Sequence, residues 1–261
     1  NMKKVWLRLF SWLLCLSLLM GYGVLAADTM PMDGMGPPPD GDMGGGAPPP
    51  GDGAPDAAAI VITDGAENTA AEYEPGAYSS YLSNVDGVLT IDGLELTSGD
   101  YAFNGLVATG PDSVVRLGKC TIRLRVDNAA TDDDTGGAAT NIDDGATLYI
   151  SDSELQVDGA ARYVTANYND STLIVNNSMV TSTGSNDYTA DVSEPFSNAA
   201  LLISGTARAN FSIGATQTYY YDSVCTAEGW AALSTDSATG DGLDLYAYNT
   251  EGVAENGGYS T

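Results

Sequence analysis

Four of the nine basic residues, Arg116, Lys119, Arg123 and Arg125, fall within one short stretch of an otherwise acidic chain. An arginine or lysine that gives up its own proton to solvent can take one from a carboxylate-bearing substrate, and Arg116, Arg123 and Arg125 are the candidates for that role. Alternation puts Arg123 and Arg125 on one face of a strand, outward if Ile122, Leu124 and Val126 point inward. The same placement suits a solvated face that pairs with local carboxylates. Acidic residues offer two further chemistries. Asp132, Asp133 and Asp134, with Asp143 and Asp144 nearby, place hard oxygen ligands on a Gly-containing loop, the donor set calcium favours, although not in EF-hand order. A solvated insertion loop is the alternative reading, and the second acidic stretch, Asp236 to Asp244, is a weaker version of it. Pairs drawn from Asp143, Asp144, Asp152, Glu154, Asp222 and Glu228 could serve glycoside hydrolysis, but with 35 acidic residues such pairs arise by chance. In Tyr219-Tyr220-Tyr221, alternation sends Tyr219 and Tyr221 to one face and Tyr220 to the other. With Trp230, Tyr246 and Tyr248 they could form an exposed platform on which sugar rings stack, or they could pack a core.

The absence of histidine narrows this chemistry. It removes the commonest acid/base residue at neutral pH and with it Ser-His and Cys-His nucleophile pairs. No phosphate-binding glycine loop, dinucleotide fingerprint or zinc spacing is present.

These residues sit on a strand pattern that returns at a near-constant interval. Leu148-Tyr149-Ile150-Ser151 leads through Asp152-Ser153 into Glu154-Leu155-Gln156-Val157, and Leu173-Ile174-Val175-Asn176 leads through Asn177-Ser178 into Met179-Val180. The corner recurs as Asp92-Gly93, more loosely as Leu117-Gly118, and as Asp222-Ser223 and Asn249-Thr250. Its second residues fall at 93, 118, 153, 178, 223 and 250, a basic step near 25 with insertions at Asn128–Asp144 and Asn186–Asn198. Self-similarity at such a period signals a repeat architecture. Three short strands and three corners use up about 25 residues, so the spacing predicts an all-β, right-handed parallel β-helix solenoid of about eight coils. Corner Asn and Gly residues suit left-handed backbone conformations, with Asn176-Asn177 the candidate for stacked asparagines. A hairpin-built β-sandwich would instead show turn signals about every 8 to 12 residues with no longer order above them.

The ends have different characters. Lys3, Lys4 and Arg8 precede an apolar run around Leu13–Leu19, and Val24-Leu25-Ala26 offers a cleavage site, so residues 1–27 read as an export signal. The run is short for a spanning helix, which needs about 20 residues. Residues 28–57, rich in Pro, Gly, Asp and Met, show no strand or helix period and read as a disordered linker. Residues 58–261 form the β-helix domain. Asn1 before Met2 points to an upstream frame, and the stop at Gly257–Thr261 without a capping element suggests truncation. From Asp28 onward six basic residues face 35 acidic ones, a net charge of −29. That surface repels phosphate backbones, so nucleic acid is not expected as a partner. Beyond the signal, Cys120 and Cys225 alternate with apolar neighbours and read as two buried free thiols, too far apart along a solenoid to bridge.

The motifs Thr147–Ser153 and Ser171–Ser178 resemble those of right-handed parallel β-helix proteins, the pectate-lyase-like superfold. Tyr219–Ser223 followed by Glu228–Ser234 is similar to large adhesin-like bacterial surface proteins. The resemblance covers roughly residues 85 to 261. It implies a secreted or cell-surface protein that acts as a binding or structural module, with a polysaccharide or cell-surface glycan as partner and no membrane contact beyond the export signal. It equally allows a polysaccharide lyase or glycoside hydrolase, for which calcium is the cofactor to consider. Polygalacturonase-like hydrolases of this fold carry a histidine near their aspartates, which this chain lacks.

Overall fold

A computed structural model describes residues 58–68, 78–99, 103–125, 137–159, 163–183, 207–229, 231–236 and 242–255. The export signal, the linker, Asp132–Asp134 and Trp230 lie outside these residues. The described chain is all-β, its one helical element being a 3-10 turn at Ser79–Tyr81.

Strand β1 (Ala58–Thr63) is followed by the short β2 (Ala66–Glu67), then by β3 (Leu82–Val85), β4 (Val88–Asp92) and β5 (Glu95–Ser98). Thereafter the strands come in threes. The second set is β6 (Asn104–Thr109), β7 (Val114–Gly118) and β8 (Thr121–Arg125); the third is β9 (Ala138–Asp143), β10 (Thr147–Ser151) and β11 (Glu154–Asp158). The fourth is β12 (Tyr163–Tyr168), β13 (Thr172–Asn176) and β14 (Met179–Thr183), and the fifth β15 (Arg208–Ile213), β16 (Gln217–Tyr221) and β17 (Val224–Ala227). The sixth is β18 (Ala231–Asp236), β19 (Asp244–Tyr248) and β20 (Glu251–Ala254).

From the second set on, each contributes one strand to each of three sheets, and the first adds β2 and β3 as extra strands at the edges: β18-β15-β12-β9-β6-β1-β2, β19-β16-β13-β10-β7-β4-β3 and β20-β17-β14-β11-β8-β5. Every pairing between successive sets is parallel. Antiparallel pairing, the rule in a hairpin-built sandwich, is confined among the described residues to β1–β2 and β3–β4. The described residues thus carry six strand triads.

The second and third sheets alternate as their sequences do. Ile91, Leu117, Ile150, Val175 and Tyr220 form one inward column, and Leu96, Ile122, Leu155, Val180 and Cys225 another, all in a single apolar cluster. The first sheet differs, because its strands are buried on both faces. Tyr163, Tyr168 and Phe211 form a separate aromatic cluster there, with Tyr163 and Phe211 stacked at 4.5 Å. β1, β6, β9, β12, β15 and β18 each also place at least one residue in the main core. Ala59, Gly105, Ala139, Val164, Ala209 and Ala232 form a column of small residues at positions the strand register skips.

The corner between the second and third sheets is the repeat visible in the sequence. Its left-handed residue is Gly93, Lys119, Asp152, Asn177, Asp222 or Asn249, so the corner expected at Leu117-Gly118 lies at Lys119-Cys120 and that expected at Asp92-Gly93 lies at Gly93-Leu94. Asn177 bonds to the neighbouring Asp152, its Nδ2 donating to Oδ1 at 2.6 Å, and Asn249 donates likewise to Asp222; the stack alternates Asp with Asn. The next residue turns inward. Ser153, Ser178 and Ser223 each donate to the carbonyl two residues earlier and accept the N–H of Cys120, Ser153 and Ser178 respectively, at 3.1–3.2 Å. Serine is needed because it supplies an acceptor where a buried N–H has no strand partner.

Cys120 and Cys225 are both buried and free. Burial raises the Cys120 thiol and pushes that of Cys225 up to about 12, since the apolar surroundings disfavour the thiolate. At pH 8 iodoacetamide should therefore label neither thiol in the folded chain and both in urea, as intact-mass spectrometry would show; labelling of Cys225 without denaturant would contradict this core placement.

Candidate functional site

The outer face of the second sheet gathers the chemistry. Alternation leaves a middle column of Thr90, Arg116, Tyr149, Ile174, Tyr219 and Tyr246 facing outward. Beside it runs Asp92, Gly118, Ser151, Asn176, Tyr221 and Tyr248. Because the strands stack in register about 4.8 Å apart, side chains many residues apart in sequence become neighbours.

At one end four tyrosines form a two-by-two tile. Tyr219 lies 5.2 Å from Tyr246, and Tyr221 5.3 Å from Tyr248, with planes within 8° of parallel. Along each strand the rings stand 6.4 Å apart, again nearly parallel. Tyr246 and Tyr248 are the most open of the four, at 40% and 53% exposure. Tyr220 points the opposite way and is fully buried.

Toward the other end is a groove of about 430 Å³ lined by Thr90, Asp92, Arg116, Gly118, Lys119, Tyr149, Ser151 and Asp152. Gly118 makes its floor. It stands in register between Asp92 and Ser151, and a Cβ there would come within 3.0 Å of Asp92 Oδ1. The Arg116 guanidinium rests over the Tyr149 ring, 5.6 Å from its centroid, a cation–π contact.

No protein-family model, curated protein or solved structure matches the chain.

The basic cluster is divided by its own corner. Lys119 turns the chain, so Arg116 stays on the second sheet while Arg123 and Arg125 go to the third. Both of the latter face outward, as alternation predicts, and both are paired. Arg123 Nη2 meets Glu154 Oε1 at 2.7 Å, and Arg125 Nε stands 3.6 Å from Asp158 Oδ2. With side chains this exposed each pair contributes about 0–1 kcal/mol and marks an ordinary solvated face.

Of the carboxylates proposed as catalytic pairs, Asp143, Asp152, Glu154 and Asp222 have side-chain partners. Asp152 and Asp222 accept from Asn177 and Asn249, and Glu154 holds Arg123. Asp143 Oδ1 accepts both the Asp144 N–H at 2.7 Å and Asn169 Nδ2 at 2.9 Å, which fixes the turn rather than presenting free ligands. Among the described residues no three acidic, histidine or cysteine side chains converge as a metal site, and Asp132, Asp133 and Asp134, the rest of the calcium set, lie outside those residues. The sequence reading named Arg116 and, as part of the basic cluster, Lys119, but passed over Asp92, Gly118 and Tyr149. The signal was partial: Asp92 and Gly118 stand about one period apart, but Ser151 pairs with Gly118 across the insertion that lengthens the next step.

Proposed function

We propose that this chain is a secreted or cell-surface, adhesin-like binding module whose three sheets are the faces of a right-handed parallel β-helix, and that the second face binds carbohydrate. The observation that carries this reading is the tyrosine tile: four parallel rings on adjacent strands, two of them widely exposed, at the end of a continuous outward column. Aromatic rings at an exposed surface offer large rigid contact area at low entropic cost, with hydroxyls to bond a polar ligand. Sugars match that pairing through their C–H faces and hydroxyl rims.

The test is a glycan panel against the chain and against the double variant Tyr246→Ala/Tyr248→Ala, with circular dichroism as the control for folding. Losing two stacking contacts of about 0.5–1.5 kcal/mol each should weaken a bound glycan by roughly five- to 150-fold. A chain that binds nothing in the panel, or a variant that binds equally well, would refute the reading. A second reading, cleavage of a polysaccharide, draws on Arg116 standing in one groove with Asp92 and Asp152. New chain ends released from polysaccharide would establish it.

A further inference from the structure

The groove at Arg116 differs from the rest of this acidic surface in three ways. Arg116 makes no ion pair among the described residues, although 35 acidic residues are available; its face lies on Tyr149 and its donor edge is unspent. Arg123 and Arg125, by contrast, both have carboxylates. Lys119 stands at φ 51, while all nine other non-glycine residues of positive φ are Asp or Asn. Those side chains tolerate the left-handed region and lysine does not, so an aspartate or asparagine would suit this corner better. Strain retained at one corner of a repeat invites a functional explanation. Gly118, lacking a side chain, lets the Asp92 carboxylate lie over the floor, within 3.0 Å of where a Cβ would stand.

We propose that this groove is a subsite for a carboxylate-bearing sugar residue, a deepening that rests on the carbohydrate reading of the same face. Arg116 and Lys119 would take the carboxylate, the guanidinium by its two-pronged donor edge. Asp92, whose side chain accepts no hydrogen bond from the described residues, and Asp152 would accept from sugar hydroxyls. Those two carboxylates disfavour phosphate or sulfate, whose dispersed negative charge would lie against them. A single carboxylate on a hydroxylated ring satisfies both signs of charge. The volume is within the ordinary range for a ligand site, about 300–1,000 Å³.

Uronic acids and sialic acids share this chemistry, and the experiment separates them. Calorimetry on the full chain would use trigalacturonate against its methyl ester, and sialyllactose against lactose. At least one acid should bind tenfold or more above its neutral partner, and Arg116→Gln should reduce that preference at least tenfold. Lys119→Asn should weaken acid binding several-fold while raising the urea midpoint, a combination a purely structural lysine would not give. Equal binding of acid and neutral partners, or an unaltered preference in Arg116→Gln, overturns the subsite. The two readings fail separately: Tyr246→Ala/Tyr248→Ala without effect on longer glycans refutes the tile, whereas a Tyr149 ring resonance shifted by neither free galacturonate nor free sialic acid refutes the groove.

Discussion

Gly105→Ala is expected to destabilise the chain by about 2 kcal/mol or more, against the usual direction of that substitution. Where glycine has no special task, alanine stabilises by about 0.4–1 kcal/mol because it restricts the unfolded chain. Gly105 lies in β6 at the narrowest point of the small-residue column. A Cβ there would stand 2.5 Å from the Ala139 carbonyl oxygen and 3.1 Å from Ile122 Cγ2. The carbonyl belongs to the neighbouring strand β9 and cannot swing aside as a flexible side chain would. Ile122 is itself fully buried. Either β6 and β9 separate locally or the core between the first and third sheets opens, and overpacking of that kind costs about 1–3 kcal/mol. Asn104, next in the chain, ties the same two strands through its Oδ1, which accepts the Ala138 N–H at 2.7 Å, so displacement would strain a buried hydrogen bond too. Urea denaturation of the two proteins decides by sign alone: a higher midpoint for Gly105→Ala would mean that the close approach is not real.

This column also shows where sequence reading stopped. The second and third sheets were legible because their central strands each bury one face, so that Leu148, Ile150, Leu155 and Val157 alternate with less buried partners, and the corners between them repeat as Asp-Ser or Asn-Ser. The first sheet was not. Its strands, such as Ala58–Thr63 and Tyr163–Tyr168, are buried on both sides and carry no period-2 signal. The corners entering and leaving it vary in length, which gives the steps of 35 and 45 residues in the repeat. The candidate site was half legible for the same reason. Tyr219 and Tyr221 against Tyr220 followed from alternation alone. The split between Arg116 and Arg123 follows from the loose corner at Leu117-Gly118, but the residue that turns the chain is Lys119, where no Asp, Asn or Gly stands to mark it. Gly118 has meaning only once Asp92 and Ser151 are known to flank it.

Tyr220→Ala should lower stability by about 3–5 kcal/mol, as removal of a buried aromatic side chain does, and Tyr220→Phe by about 1–2 kcal/mol. The difference separates ring from hydroxyl. The ring occupies the inward column after Val175 and is fully buried. Its hydroxyl lies 2.9 Å from Thr165 Oγ1 and donates to Asn210 Oδ1 at 3.2 Å. Asn210 in turn donates to Ser212 Oγ, which meets Thr218 Oγ1 at 2.9 Å. In the fourth and fifth triads, therefore, part of the core is polar where the second has Leu106 and Ala108. Such a network is stable only when its members are bonded, and phenylalanine would leave Thr165 and Asn210 short of a partner in a dry interior. A pH dependence tests the assignment further. Burial holds the Tyr220 phenol well above its usual value of 10.0, because the phenolate would lose its hydration there. The folded chain thus binds this proton more tightly than the unfolded chain does. The hydroxyl's contribution is complete below about pH 10, the unfolded value, and declines as the pH rises beyond it. The stability gap between the native chain and Tyr220→Phe, measured by urea denaturation, should accordingly be constant from pH 7 to 9 and narrow by pH 11. A gap that stayed fixed to pH 11 would place the hydroxyl in contact with water, and the network with it.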